Sequence, residues 1–132
     1  MPTPIFEMKL ELVPVPVTDI DRAIGFYVGQ LGFHLDHDTQ PGNGVRVCQL
    51  TPHGSGCSIV LTTGLPDLSA MMPGTIKGLH LVVKDIRQVR DALISRGVVM
   101  GDLIEYPNSV KFSSFSDPDN NTWTLQEIPA NR

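Results

Sequence analysis

Cysteine is scarce in this chain: Cys48 and Cys57 are the only two in 132 residues. Two are too few for the disulfide framework that staples small secreted domains. Cys48 lies inside a strand-like run, so a buried free thiol is the expected state. Basic charge is also short, with 10 Lys and Arg against 14 Asp and Glu and a net charge of −4. The basic residues are scattered, which argues against a nucleic-acid surface. No stretch approaches the roughly 18 apolar residues of a membrane-spanning helix. The N-terminus, MPTPIFEMKL, lacks the charged start and apolar run of a secretory signal. The expectation is a cytoplasmic protein without nucleic-acid or membrane partners. What the chain does have is 41% hydrophobic and 18% charged residues, a composition that supports a packed core in one domain.

An internal repeat organises the rest. Displaced against itself by 66 residues, half of 132, the sequence brings Val17-Thr18-Asp19-Ile20 onto Val83-Lys84-Asp85-Ile86. Pro52 then meets Pro118, Ser58-Ile59 meets Thr124-Leu125, and Leu12 meets Gly78. In the first half, residues 10–17 (LELVPVPV) read as a strand ending at Asp19, a helix N-cap. Ile20, Ala23, Ile24, Tyr27 and Leu31 recur at helical spacing until Gly32. Strands are expected over 33–37, 45–50 and 57–62, separated by Gly- and Pro-rich turns. The second half repeats the order: a strand over 79–83, the cap Asp85, and a helical stripe of Ile86, Val89, Leu93 and Ile94 ending at Gly97. Strands follow over 98–104, 110–115 and 122–127. The fold class is therefore α+β: two tandem βαβββ modules forming a cupped mixed sheet with helices on its outer face. A single domain over 1–132 is expected, with module one at about 8–62, a Gly/Pro-rich linker at about 63–77 and module two at about 78–128.

Strand alternation assigns the faces. Val13, Val15 and Val17, with Leu79, Leu81, Val83, Ile59, Leu61, Trp123 and Leu125, belong under the helices. The opposite face collects Leu12, Gly78, His80, Val82, Ser58, Val60, Thr124 and Gln126. Neutral polar groups among small apolar residues suit a lined cavity, while a simply solvated sheet face stays open as the alternative.

VTDIDRAIGFYVGQLGF (17–33), followed by FSDPDNNTWTLQE (115–127), resembles the vicinal oxygen chelate superfamily. That group includes glyoxalase I, bleomycin-resistance proteins, fosfomycin-resistance enzymes and extradiol dioxygenases. The resemblance implies a site inside the cup and, in metal-using members, ligands at four equivalent strand positions. Those positions fall here at Leu12, Ser58, Gly78 and Thr124, none of which supplies an imidazole, carboxylate or thiolate. No metal and no other cofactor is expected. The resemblance implies a homodimer holding a small organic molecule in a cleft by stacking and hydrogen bonds. The ligand-binding candidates are Leu12, Ser58, His80, Thr124, Gln126 and Phe112, and His80 is the candidate catalytic residue if there is chemistry. The competing reading is a divalent-metal-dependent lyase or dioxygenase of glyoxalase type with non-standard ligands, involving His80 and Glu127.

Three further features need weighing. In the segment HLDHD, His34, Asp36 and Asp38 share one face of a regular strand and His37 takes the other. Tyr106, Phe112 and Phe115 come from the later strands of module two, where one of them can stack on a planar ligand. The turn of residues 117–121 (DPDNN) starts like a calcium loop. It has Thr122 where the loop needs Gly and Ile128 where it needs a bidentate Glu, so it reads as a tight turn with Asn120 in left-handed geometry.

Overall fold

A computed structural model describes residues 3–129. Its elements run β1 (Leu12–Pro14), α1 (Ile20–Ile24), β2 (His34–Gly42), β3 (Val45–Thr51), β4 (Ser58–Thr63), β5 (Leu79–Val82), α2 (Ile86–Ser95), β6 (Ile104–Glu105), β7 (Lys111–Ser116) and β8 (Thr122–Glu127). Hydrogen bonding divides the strands into two four-stranded sheets, ordered β1-β4-β3-β2 and β5-β8-β7-β6. In each, the first strand pairs in parallel with the last, and the remaining pairs are antiparallel. The fold is α+β and built of two βαβββ modules, as the repeat implies.

Local chemistry explains the element ends. Asp19 and Asp85 sit in extended geometry, and each accepts a hydrogen bond from the backbone three residues on, Arg22 N and Gln88 N. β1 is shorter than the expected 10–17 because Pro14 and Pro16 cannot donate to a ladder, which also suits β1 to its place at a sheet edge. The strand expected over 98–104 is reduced to Ile104–Glu105. Val98 instead packs into the core from a loop.

The first helix does not stay α-helical. From Gly25 to Gln30 it widens into π-helical turns, in which Leu31 N reaches back to Phe26 O. The wider turn brings Phe26 and Tyr27, adjacent in sequence, into the core together. Both reach the second sheet: Phe26 lies 6.2 Å from Phe115, and Tyr27 5.7 Å from Trp123, between ring centroids. One continuous core therefore spans both modules, joining Val15, Ile59 and Leu61 to Ile86, Leu93, Trp123 and Leu125.

The segment 117–121 ties this core together. Asp117 is buried, and its carboxylate accepts four hydrogen bonds. Tyr27 Oη and Asn121 Nδ2 donate to Oδ2 at 2.7 and 2.8 Å. The backbone amides of Asp119 and Asn121 donate to Oδ1 at 2.8 and 2.9 Å. Asn121 also donates to Pro16 O and accepts from the amides of Gly74 and Ile76, so one side chain clamps the end of β1 and the linker. Trp123 Nε1 donates to Tyr27 Oη at 3.0 Å. Asn120 adopts a φ of 69°, the left-handed geometry expected there. Gly74 passes so close that a Cβ would lie 2.5 Å from Asp119 O. The turn is a structural clamp between the modules.

Cys48 is fully buried, and burial, with Asp38 nearby, pushes its thiol up to about 11, leaving an inert small hydrophobe. Cys57 is half-buried just before β4, where its amide donates to Ser55 Oγ.

Candidate functional site

The helix-side faces of both sheets supply the core; the candidate residues lie on the other, open face. On the second sheet His80 pairs with Thr124, and Val82 with Gln126. Gln126 pairs in turn with Phe112, and Thr124 with Ser114, their hydroxyls 3.2 Å apart. His80, Thr124, Gln126 and Phe112 therefore share one face. A cleft of about 910 Å³ opens beside them, lined by Tyr106, Asn108, Val110, Phe112, Gln126 and Pro129. Phe112 meets Tyr106 edge-on at 5.4 Å and His80 edge-on at 6.0 Å, forming a row of three rings. His80 Nδ1 lies 2.6 Å from Gly78 O and therefore donates to it, which leaves Nε2 of the neutral ring as the acceptor. Phe115, by contrast, is buried and stacks on Trp123, so it belongs to the core.

Leu12 and Ser58 pair with each other on the first sheet. Of the candidate residues, Phe112 and Gln126 line the cleft of the second sheet; His80 and Thr124 stand beside it on the same face, and Leu12 and Ser58 lie on the other sheet. Ser58 is buried, and its hydroxyl is engaged by Gln49 Nε2 at 3.2 Å and Thr51 Oγ1 at 2.6 Å.

Strand pairing corrects the repeat in one respect. Leu12 stands opposite Ser58, but the residue opposite Thr124 is His80, not Gly78. β5 is shifted by two residues along β8 relative to the same pair in module one. The four equivalent positions are thus Leu12, Ser58, His80 and Thr124. One imidazole, two neutral hydroxyls and an isobutyl group do not make a divalent-metal site, which needs three or more strong donors. The non-standard pair of His80 with Glu127 is not assembled either. Glu127 faces the helix side, accepting from Ile86 N at 2.9 Å and Lys111 Nζ at 3.2 Å. The Ile86 amide and Lys111 together hold its carboxyl below the usual range. Among the described residues no group of three or more His, Cys, Asp or Glu side chains could hold a metal ion.

The HLDHD segment also departs from the regular-strand expectation. A β-bulge between Leu35 and His37 shifts the register, so His37 pairs with Gln49 and Asp38 with Cys48. Asp38 therefore turns to the helix side, where Arg46 bridges it and Asp21. Arg46 holds the Asp38 carboxyl low. Asp36 stays with His34 on the open face. Its Oδ1 lies 2.8 Å from His34 Nδ1, and its Oδ2 accepts from Gln49 Nε2 and Thr51 Oγ1.

Fold and site together define an α+β protein of two βαβββ modules with open sheet faces and, among the described residues, no metal-donor set. The Glyoxalase/Bleomycin resistance protein/Dioxygenase superfamily profile matches residues 9–125. The chain belongs to that superfamily. Among solved structures it is similar to TnmS3, an antibiotic binding protein from Streptomyces sp. CB03234, at 33% identity over 95% of this chain and 99% of that one, with a TM-score of 0.78. A glyoxalase/bleomycin resistance protein from the same organism is 36% identical over 89% of this chain and 98% of that one, with a TM-score of 0.73. A superfamily member from Sphaerobacter thermophilus DSM 20745 is 30% identical over 92% and 98%, with a TM-score of 0.79. No match was found among curated proteins. No helix among the described residues is long and apolar enough to cross a membrane.

Proposed function

We propose that this protein binds a planar aromatic small molecule of antibiotic type in the open cleft of its second sheet, without a metal. The observation that carries this reading is the row Tyr106–Phe112–His80 beside the cleft. Three rings present apolar area at little conformational cost, while Gln126, Thr124 and His80 Nε2 offer hydrogen bonds that fix orientation. Similarity over nearly full length to an antibiotic binding protein supports it. Cytoplasmic drug sequestration by a homodimer is the setting that fits. A dimer is supported by apolar side chains left in solvent: Val82 on the open sheet, and Ile5, Phe6, Met8 and Leu10 in the segment before β1.

Titration calorimetry of chelator-treated protein against a panel of planar aromatic antibiotics tests the proposal. Micromolar or tighter binding by at least one compound, unchanged by added Zn²⁺, Ni²⁺, Fe²⁺ or Mn²⁺, is the expected outcome. Binding or turnover that appears only with a metal would support the metal-enzyme reading instead.

A further inference from the structure

The first sheet has a polar device on its own open face that the aromatic cleft does not use. Asp36 sits at the bulge in β2, a strand whose residues are all exposed. Its carboxylate accepts from His34, Gln49 and Thr51, so donors from two strands hold it on three sides. Thr51 and Gln49 are themselves joined to the buried Ser58. The Thr51 hydroxyl, then His34, keep the Asp36 carboxyl below its usual range, so it is an anion that can only accept. The nitrogen of His34 that faces it must then carry a proton. In the neutral ring this fixes the Nδ1–H tautomer and leaves Nε2 an acceptor. The His34 side chain is 77% exposed, yet its ring is held by a network that reaches down to a buried serine. An exposed imidazole with a fixed tautomer and orientation is a preorganised acceptor.

We propose that the open face of the first sheet is a second recognition surface, where His34 Nε2 accepts a hydrogen bond from an acidic hydroxyl, a phenol or enol, with Asp36 as its positioning residue. The adjacent anion disfavours carboxylates and phosphates, so the ligand group is a neutral O–H donor. The site stands on residues of β2, β3 and β4 and does not depend on the Tyr106–Phe112 cleft.

Histidine-detected ¹H–¹⁵N spectra, titrated with 4-cyanophenol and separately with its methyl ether, test the assignment. The free protein is expected to show the His34 proton on Nδ1. The phenol should move the His34 Nε2 resonance and bind about tenfold more tightly at this site than the ether, the size of one good hydrogen bond. His34→Ala should abolish that preference, Asp36→Asn should scramble the tautomer and reduce it, and Phe112→Ala should leave the His34 response in place. An Nε2–H tautomer in the free protein, a His34 signal unmoved at the phenol's solubility limit, or a preference that survives His34→Ala would overturn the proposal. If both probes perturb Phe112 and His80 while His34 stays silent, the cleft reading stands and this one falls. If His34 responds while Phe112 and His80 do not, the reverse holds.

Discussion

Replacing Asp117 with alanine should cost about 3–5 kcal/mol of folding stability, the typical result of removing one partner from a buried charged network. Four donors converge on this carboxylate: the Tyr27 hydroxyl, the Asn121 amide side chain, and two backbone amides. Three of the four have no water to turn to, because Tyr27 and Asn121 are fully buried. Each stranded donor costs desolvation without compensation, about 1–3 kcal/mol before the structure relaxes. Asp117→Asn should be nearly as damaging, since its amide group would point two hydrogens at donors. The loss would also free Asn121, which clamps the linker and the end of β1. Urea denaturation measures it directly. Because ordinary domains are stable by about 5–15 kcal/mol, the variant should unfold at a much lower midpoint, with an unchanged m-value. A loss under about 1 kcal/mol would mean that the segment is merely a turn.

The second large effect concerns binding and should touch stability far less. Tyr106 and Phe112 lie on the open face, and Tyr106 is 49% exposed. Truncating both to alanine removes two of the three rings that would face a planar ligand. An aromatic pair contributes about 0.5–1.5 kcal/mol beyond its area, and a central aromatic anchor about 2 or more. Together these predict a loss of about 100-fold in affinity, or roughly 2.7 kcal/mol. Tyr106 is exposed and Phe112 half-buried outside the main core, so the stability cost should stay near about 1 kcal/mol, the ordinary size for a point substitution. Calorimetric titration of the double variant, with a thermal melt beside it, separates the two. Affinity within threefold of the parent would place the ligand elsewhere.

The contrast between these variants matches what could be read from the sequence. The helix caps Asp19 and Asp85, the helical stripes and the helix-side strand residues all carry a strong local signal, because burial imposes a period on the chain. Thr124, Gln126 and His80 could be grouped by face for the same reason. The two-residue shift of β5 against β8 could not be read, because a slip of two leaves every side chain on its original face and the hydrophobic pattern unchanged. His80, the counterpart of Leu12 by strand pairing, therefore carries no mark of that position in the sequence pattern. The bulge at Asp36 was hidden for a related reason. It lies in a strand exposed along its whole length, so no buried alternation breaks where the extra residue enters. Without the bulge, Asp38 reads as a neighbour of Asp36 rather than a partner of Arg46. The π-helical widening after Ile24 was equally silent, although two adjacent aromatic residues, Phe26 and Tyr27, both bound for the core, are the trace it leaves. Tyr106 was visible only as one of several aromatic candidates, since β6 and its loop carry no clear period.

The central claim is that the open face of the second sheet holds an aromatic ligand by stacking and hydrogen bonding, with no metal between them. A crystal structure of chelator-treated protein, grown with the tightest ligand from the calorimetric panel, tests it most directly. The account predicts the ligand's ring at van der Waals distance, roughly 3.5–4 Å, from Phe112 and Tyr106, with its polar atoms within reach of Gln126, Thr124 or His80. A ligand coordinated through a metal ion at His80, or one seated away from this sheet, would contradict it.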